Sequence, residues 1–105
     1  MVVWVTTETV AGKEITESLG VAMGSTIRAR NIGRDIMAGL RTIVGGEVPE
    51  YTEMMAHARN QAIERMQQKA TDMGANAVVC VRFSTAMIMQ GTAEVMAFGT
   101  AVKLK

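Results

Sequence analysis

The chain has 105 residues, of which 49% are apolar and 20% charged, with a formal net charge of +1. That is room for one domain, residues 1–105, with its own core, and it excludes a disordered charged tail. A near-neutral balance gives no general field for nucleic acid or an anionic membrane, and no apolar run approaches the roughly 20 residues that span a bilayer. Met1 to Val5 are apolar, but Glu8 and Lys13 arrive before a secretory h-region of useful length. The single Cys80 excludes an intramolecular disulfide, so the expected compartment is the cytoplasm.

Aromatic residues make up only 4% of the chain (Trp4, Tyr51, Phe83 and Phe98), whereas there are 10 methionines. The core must therefore be assembled from Met, Val, Ile, Leu and Ala. A domain this small buries a low fraction of its surface, and with no disulfide to staple it, oligomerisation is the expected remedy.

In chain order, Val2 to Thr7 reads as a β-branched strand closed by a turn at Ala11-Gly12-Lys13. From Ile15 to Ile27 the odd positions Ile15, Leu19, Val21, Met23 and Ile27 alternate with Thr16, Ser18 and Gly20, which predicts a strand whose odd face is buried. The period then becomes helical at Ile32, Ile36, Leu40 and Ile43, with a stop at Gly45-Gly46. Arg30, Arg34 and Arg41 fall within about 40° of one another on the opposite side of that helix, at 100° per residue. Pro49 suits the first turn of a second helix, with Glu50 and Glu53 complementing its positive end. Tyr51, Met55, Ala58, Ala62, Met66 and Met73 form its apolar stripe, and Gly74 is placed to end it.

Two strands finish the chain. Ala77, Val79, Val81 and Phe83 share one face, continued by Met87 and Met89, with Val78, Cys80 and Arg82 on the other. A turn near Gln90-Gly91 leads to a last strand carrying Met96, Phe98, Val102 and Leu104. The order strand, strand, helix, helix, hairpin predicts an α+β fold: an antiparallel sheet with helices on one face.

Several segments resemble the signature of the YbjQ family. They are Arg34-Asp35, Ile43-Val44-Gly45-Gly46, Tyr51, Gly74-Ala75-Asn76-Ala77-Val78-Val79 and the closing Gly99-Thr100-Ala101-Val102, with Thr6-Thr7 and Gly12-Lys13 near the start. The resemblance covers nearly the whole chain, in order. It implies a dodecin-like subunit that assembles as a ring-shaped homopentamer, added short strands joining neighbours. The family is described as heavy-metal-binding, which would make a heavy-metal ion the ligand, but the resemblance carries no catalytic residues to transfer. The chain departs from the family at Glu47-Val48-Pro49-Glu50, at Cys80, where glycine is usual, and in a second helix carrying Met54, Met55, Gln67 and Gln68. A ligand shared across the family therefore does not depend on Cys80 or the methionines.

Three candidate sites follow. Cys80 with the methionines offers soft donors of the kind that favour Cu(I), but one subunit has no C-x-x-C and no second cysteine to complete a tetrahedral set. The competing reading is a small core cysteine and adaptable methionine packing, with Cys80→Gly costing stability through strand entropy. His57, with Glu53, Gln61 and Glu64 at helical spacing, reads either as a surface metal site or as a solvated helix face. Arg30, Arg34, Asp35 and Arg41, with Arg28 just before them, are the candidate interface or anion contacts, since guanidinium forks suit carboxylate and phosphate. Catalysis has no constellation behind it: G-x-S-x-G, H-E-x-x-H, the P-loop and G-x-G-x-x-G are all missing from the sequence. The expectation is a homo-oligomeric binding module and not an enzyme, without nucleic-acid or membrane partners. The alternative is an interaction scaffold with no small ligand.

Overall fold

Alternating β-branched and small residues build four strands, and one long amphipathic stretch builds a helix. In the computed structural model, which describes residues 2–29, 49–89 and 91–105, these are β1 (Val3–Trp4), β2 (Ile15–Ala29), α1 (Pro49–Asp72), β3 (Ala77–Met89) and β4 (Thr92–Leu104). The arginine-bearing helix expected from Ile32 to Ile43 lies outside the described residues, and with it Arg30, Arg34, Asp35 and Arg41.

The four strands form one sheet in the order β1-β3-β4-β2. β3 and β4 are an antiparallel hairpin turned through Gly91, whose φ is 81°, and β2 lies antiparallel to β4. The fold is α+β as expected, but the sheet is mixed. Val3 pairs with Ala77 and Trp4 with Val78 in parallel. The expected first strand extended to Thr7, whereas the regular ladder stops at Trp4. Beyond it the chain keeps bonding irregularly to β3, with Cys80 N donating to Thr7 O at 2.9 Å and Val81 N to Val5 O at 3.0 Å. Residues 5–13 then connect β1, at one edge of the sheet, to β2 at the other. Val5 and Val10 pack on the face away from α1, against Ala77, Val79 and Val102.

The end of α1 is built as its sequence suggests. Ala75 N donates to Ala70 O and Gly74 N to Thr71 O, both at 3.0 Å, with Gly74 at φ 89°. That is the paired 6→1 and 5→2 closure a left-handed glycine permits. Asn76 then behaves as a piece of strand: its Nδ2 donates to Leu104 O at 3.1 Å and its Oδ1 accepts from Leu104 N at 2.7 Å. The Gly-Ala-Asn segment thus ends the helix and starts the sheet in three residues.

The faces of the sheet come out differently from the expectation. α1 lays Ala58, Ala62, Met66 and Ala70 on the sheet, and beneath them are Ala22, Thr26, Val78, Val81, Val95, Ala97 and Ala101. In β2 it is therefore the even, small residues that are buried. Val21 and Ile27 are each 58% exposed and Met23 is 52% exposed. Two irregularities in the pairing with β4, at Ile15/Glu17 and at Ser18/Gly20, change the phase. Ile15 consequently packs on one side of the sheet and Leu19 on the other, although both are odd. Small residues lie under α1 because the helix comes very close. A Cβ built on Gly24 would meet the backbone nitrogen of Met66 and sit 2.5 Å from the carbonyl oxygen of Ala62.

A similar phase change occurs in β3. Val78 and Val81 both belong to the helix-side core, and Ala77 and Val79 to the opposite cluster. Strict alternation would have put Val79 with Val81. The extra residue is Cys80, whose φ of 55° lies in the left-handed region, and the pairing with β4 slips between Val79 and Arg82. This is a β-bulge, which lets two residues of one strand oppose one of its partner.

Candidate functional site

Among the described residues, the sheet has one face under α1 and one open face, and on the open face the loop through Val5 and Val10 covers only one end. Along the remainder the strand register sets Val21 opposite Thr100, Met23 opposite Phe98, Ser25 opposite Met96 and Ile27 opposite Glu94. Directly paired residues share a face, so Val21, Met23, Ile27, Met96 and Phe98 form a largely apolar surface, with Ser25 and Thr100 within it and Glu94 at its far end. On the helix side, α1 lies mainly over β2 and β4. Phe83 and Met87 of β3 are left exposed there, 44% and 77%. Trp4 reaches Phe83 edge-on, ring centroids 6.0 Å apart.

The two long edges of the sheet differ. β2 forms one edge, and there Arg65 Nη1 donates to Ser25 O at 2.7 Å, occupying an outward carbonyl from above. β3 forms the other edge beyond its short pairing with β1. From Phe83 to Met89 that stretch holds no charged residue, and no strand lies outside it among the described residues. Uncharged, exposed edges of this kind are templates for pairing with another chain.

The sequence-predicted site residues are scattered. His57 and Glu53 are exposed on α1, but Gln61 turns inward, where its Oε1 accepts from Arg28 Nη2 at 3.0 Å and from Thr26 Oγ1 at 3.4 Å. The surface His/Glu arrangement is therefore broken at Gln61. Among the described residues no three His, Cys, Asp or Glu side chains come together in a metal-sized group. Arg28 Nε is buried and has no hydrogen-bond partner in the structure, so the neutral Gln61 is the anchor seen for this guanidinium. The Arg28–Gln61–Thr26 link was missed by sequence reasoning because its members are 33 and 35 residues apart.

Cys80 sits half-buried in the cluster on the face away from α1. The expectation that Cys80→Gly would cost strand entropy is overturned by its backbone, because a left-handed φ costs a non-glycine residue roughly 1–2 kcal/mol. We expect Cys80→Gly to be at least as stable as Cys80→Ala, with a difference of about 1 kcal/mol in its favour, the reverse of the usual strand order. Denaturant midpoints of the two variants check this. Alanine the more stable by about 1 kcal/mol would mean the bulge is absent.

A helix laid across a four-stranded sheet, with the large apolar residues Val21, Met23 and Ile27 of β2 turned away from it, defines an α+β domain. The family model described as "Putative heavy-metal-binding" matches residues 2–105, and the chain belongs to this family, YbjQ. Among its relatives, a UPF0145 protein of Methanosarcina acetivorans is 60% identical over 99 residues, covering 94% of this chain and 93% of the relative. A UPF0145 protein of Psychromonas ingrahamii is 58% identical over 103 residues, 98% of each. A crystal structure of a protein of unknown function from Pediococcus pentosaceus shares the fold, with a TM-score of 0.62 at 17% identity over 99% of this chain and 98% of that one. None of the relatives' names states a ligand or a reaction.

Proposed function

We propose that this chain is the subunit of a homo-oligomeric binding module of the cytoplasm, in which copies meet through the open face of the sheet. The observation that carries this is the inverted packing: Val21, Met23 and Ile27 are more than half exposed while alanine and glycine are buried beneath α1. Monomeric soluble proteins seldom leave a contiguous apolar face uncovered, and such faces mark interaction surfaces. The described helix is not long and apolar enough to cross a membrane, and another surface of a neighbouring copy is a natural partner for the open face, since a ring closes through such a heterologous contact. The five-membered ring implied by the family resemblance is the expected closed form.

A heavy-metal ion is the ligand the family description suggests, and the donors of one subunit fit a borderline divalent ion poorly. The chain has one cysteine and one histidine, whereas structural zinc sites take four Cys or His ligands. Cys80 packs on the face away from α1, which carries His57. The same separation supports a non-enzymatic role, since nucleophile and base must lie within hydrogen-bond reach. A site built from Cys and His ligands would have to combine donors from several copies. The scaffold reading, with no small ligand, is favoured by the fact that assembly alone accounts for the exposed apolar residues.

Size exclusion with light scattering at micromolar concentration tests the assembly. The expected mass is a multiple of 11.3 kDa, five copies for the ring. A single monomeric species would overturn the reading.

A further inference from the structure

We propose that Met23 and Met96 form a thioether pair on the open sheet face that binds a soft monovalent cation, Cu(I) or its analogue Ag(I). Met23 lies opposite Phe98, and Met96 lies opposite Ser25, one pair further along the same two strands and on the same face. Diagonal neighbours in an antiparallel pair have Cβ atoms roughly 7 Å apart. Methionine has three rotatable bonds and a polarizable sulfur, so both sulfurs can reach one ion lying between them.

The surroundings select the class of ion. Val21 and Ile27 flank the pair on β2 and Phe98 on β4, and the oxygens nearest the pair, the hydroxyls of Ser25 and Ser84 opposite Met96, are too few for the six or more oxygen ligands that a hard, strongly hydrated ion requires. Glu94, the next residue of β4 on that face and opposite Ile27, places a carboxylate beside the cation. Arg82, opposite Phe98 on β3, is held towards the loop by donating from Nη1 to Thr6 O and Val81 O, each at 2.9 Å. Two thioethers make an incomplete coordination sphere. A neighbouring copy packed on the open face supplies the remaining donors, and for that completion the inference rests on the oligomeric reading. It is a property of this chain's own methionines and not of the shared family signature.

The test is titration of purified, untagged Cys80→Ser protein with Ag(I), followed by calorimetry and native mass spectrometry, with X-ray absorption on the loaded sample. The serine background removes the only thiol. We expect one ion per subunit or per two subunits, with thioether sulfur in the coordination sphere. Adding Met23→Leu and Met96→Leu, which keep the apolar volume, should weaken binding more than about 100-fold, since even outer-shell changes cost 10–100-fold. No silver uptake by the Cys80→Ser protein, or equal uptake after both leucine changes, overturns the inference. Light scattering on the same samples separates the two readings. Assembled protein without silver binding overturns the site and leaves the oligomer, whereas a monomer that binds silver through the pair supports the site and overturns the oligomer.

Discussion

Gly24→Ala is expected to be the most damaging single substitution among the described residues. The added methyl would meet Met66 N, lie 2.5 Å from Ala62 O and lie 2.7 Å from the carbonyl carbon of Arg65. All three are backbone atoms of α1, so no side-chain rotation relieves the overlap and the helix must move outward. That movement loosens Ala58, Ala62, Met66 and Ala70 from the sheet, and these form the helix side of the larger core cluster. Overpacking commonly costs 1–3 kcal/mol, and rigid backbone on both sides puts this case at about 3 kcal/mol or above. Against a total of roughly 5–15 kcal/mol, the melting temperature should fall by more than about 10 °C. Ser25→Ala, next to it on the opposite face, should stay close to wild type, as surface substitutions usually do. The comparison is a thermal melt by circular dichroism at one protomer concentration, because oligomers melt concentration-dependently. A Gly24→Ala melt within a degree or two of wild type would show that α1 does not approach β2 as described.

The double substitution Val21→Lys with Ile27→Lys is expected to dissociate the proposed homo-oligomer into folded single chains. Each side chain is 58% exposed in the single chain, so a lysine there costs the isolated subunit little. At a buried contact, an ammonium without a partner costs several kcal/mol, more than a moderate interface can absorb. The expected result is a species near 11.3 kDa with an unchanged far-ultraviolet spectrum. Glu64→Lys, on the exposed side of α1, should leave the mass unchanged. Retention of the oligomer by the double lysine variant would place the subunit contact elsewhere, with the uncharged β3 edge from Phe83 to Met89 the next surface to change.

Some of this architecture is legible in the residues alone. Pro49 and Gly74 mark the ends of α1, because proline is tolerated where the first N–H has no partner and glycine adopts the left-handed φ that closes a helix. The apolar spacing through Met55, Ala58, Ala62 and Met66 marks its buried stripe, and Gly91 marks the last hairpin. The family is legible too, from Gly74-Ala75-Asn76 and from the closing Gly99-Thr100-Ala101-Val102. The stripe of Arg30, Arg34 and Arg41 with Asp35 lies outside the described residues and stays a sequence expectation.

What tertiary structure decided is which face of each strand looks inward, and where. Period-two alternation separates Val21, Met23 and Ile27 from Ala22, Gly24 and Thr26, but a period carries no sign. The rule that larger apolar residues go inward failed because α1 needs glycine and alanine to come within backbone contact of β2. The larger residues are then left on a surface that the other described residues do not cover. The bulges at Ser18/Gly20 and Cys80 add a further inversion, since one extra residue exchanges the two faces, and Cys80 gives no hint of it in composition. Gly20 at φ 115° and Cys80 at φ 55° both lie where the pairing with β4 slips, a strand that is far from Gly20 in sequence and is the hairpin partner of Cys80. Likewise the pairing of Met23 with Phe98 joins residues far apart in sequence, and no local pattern in either segment encodes it.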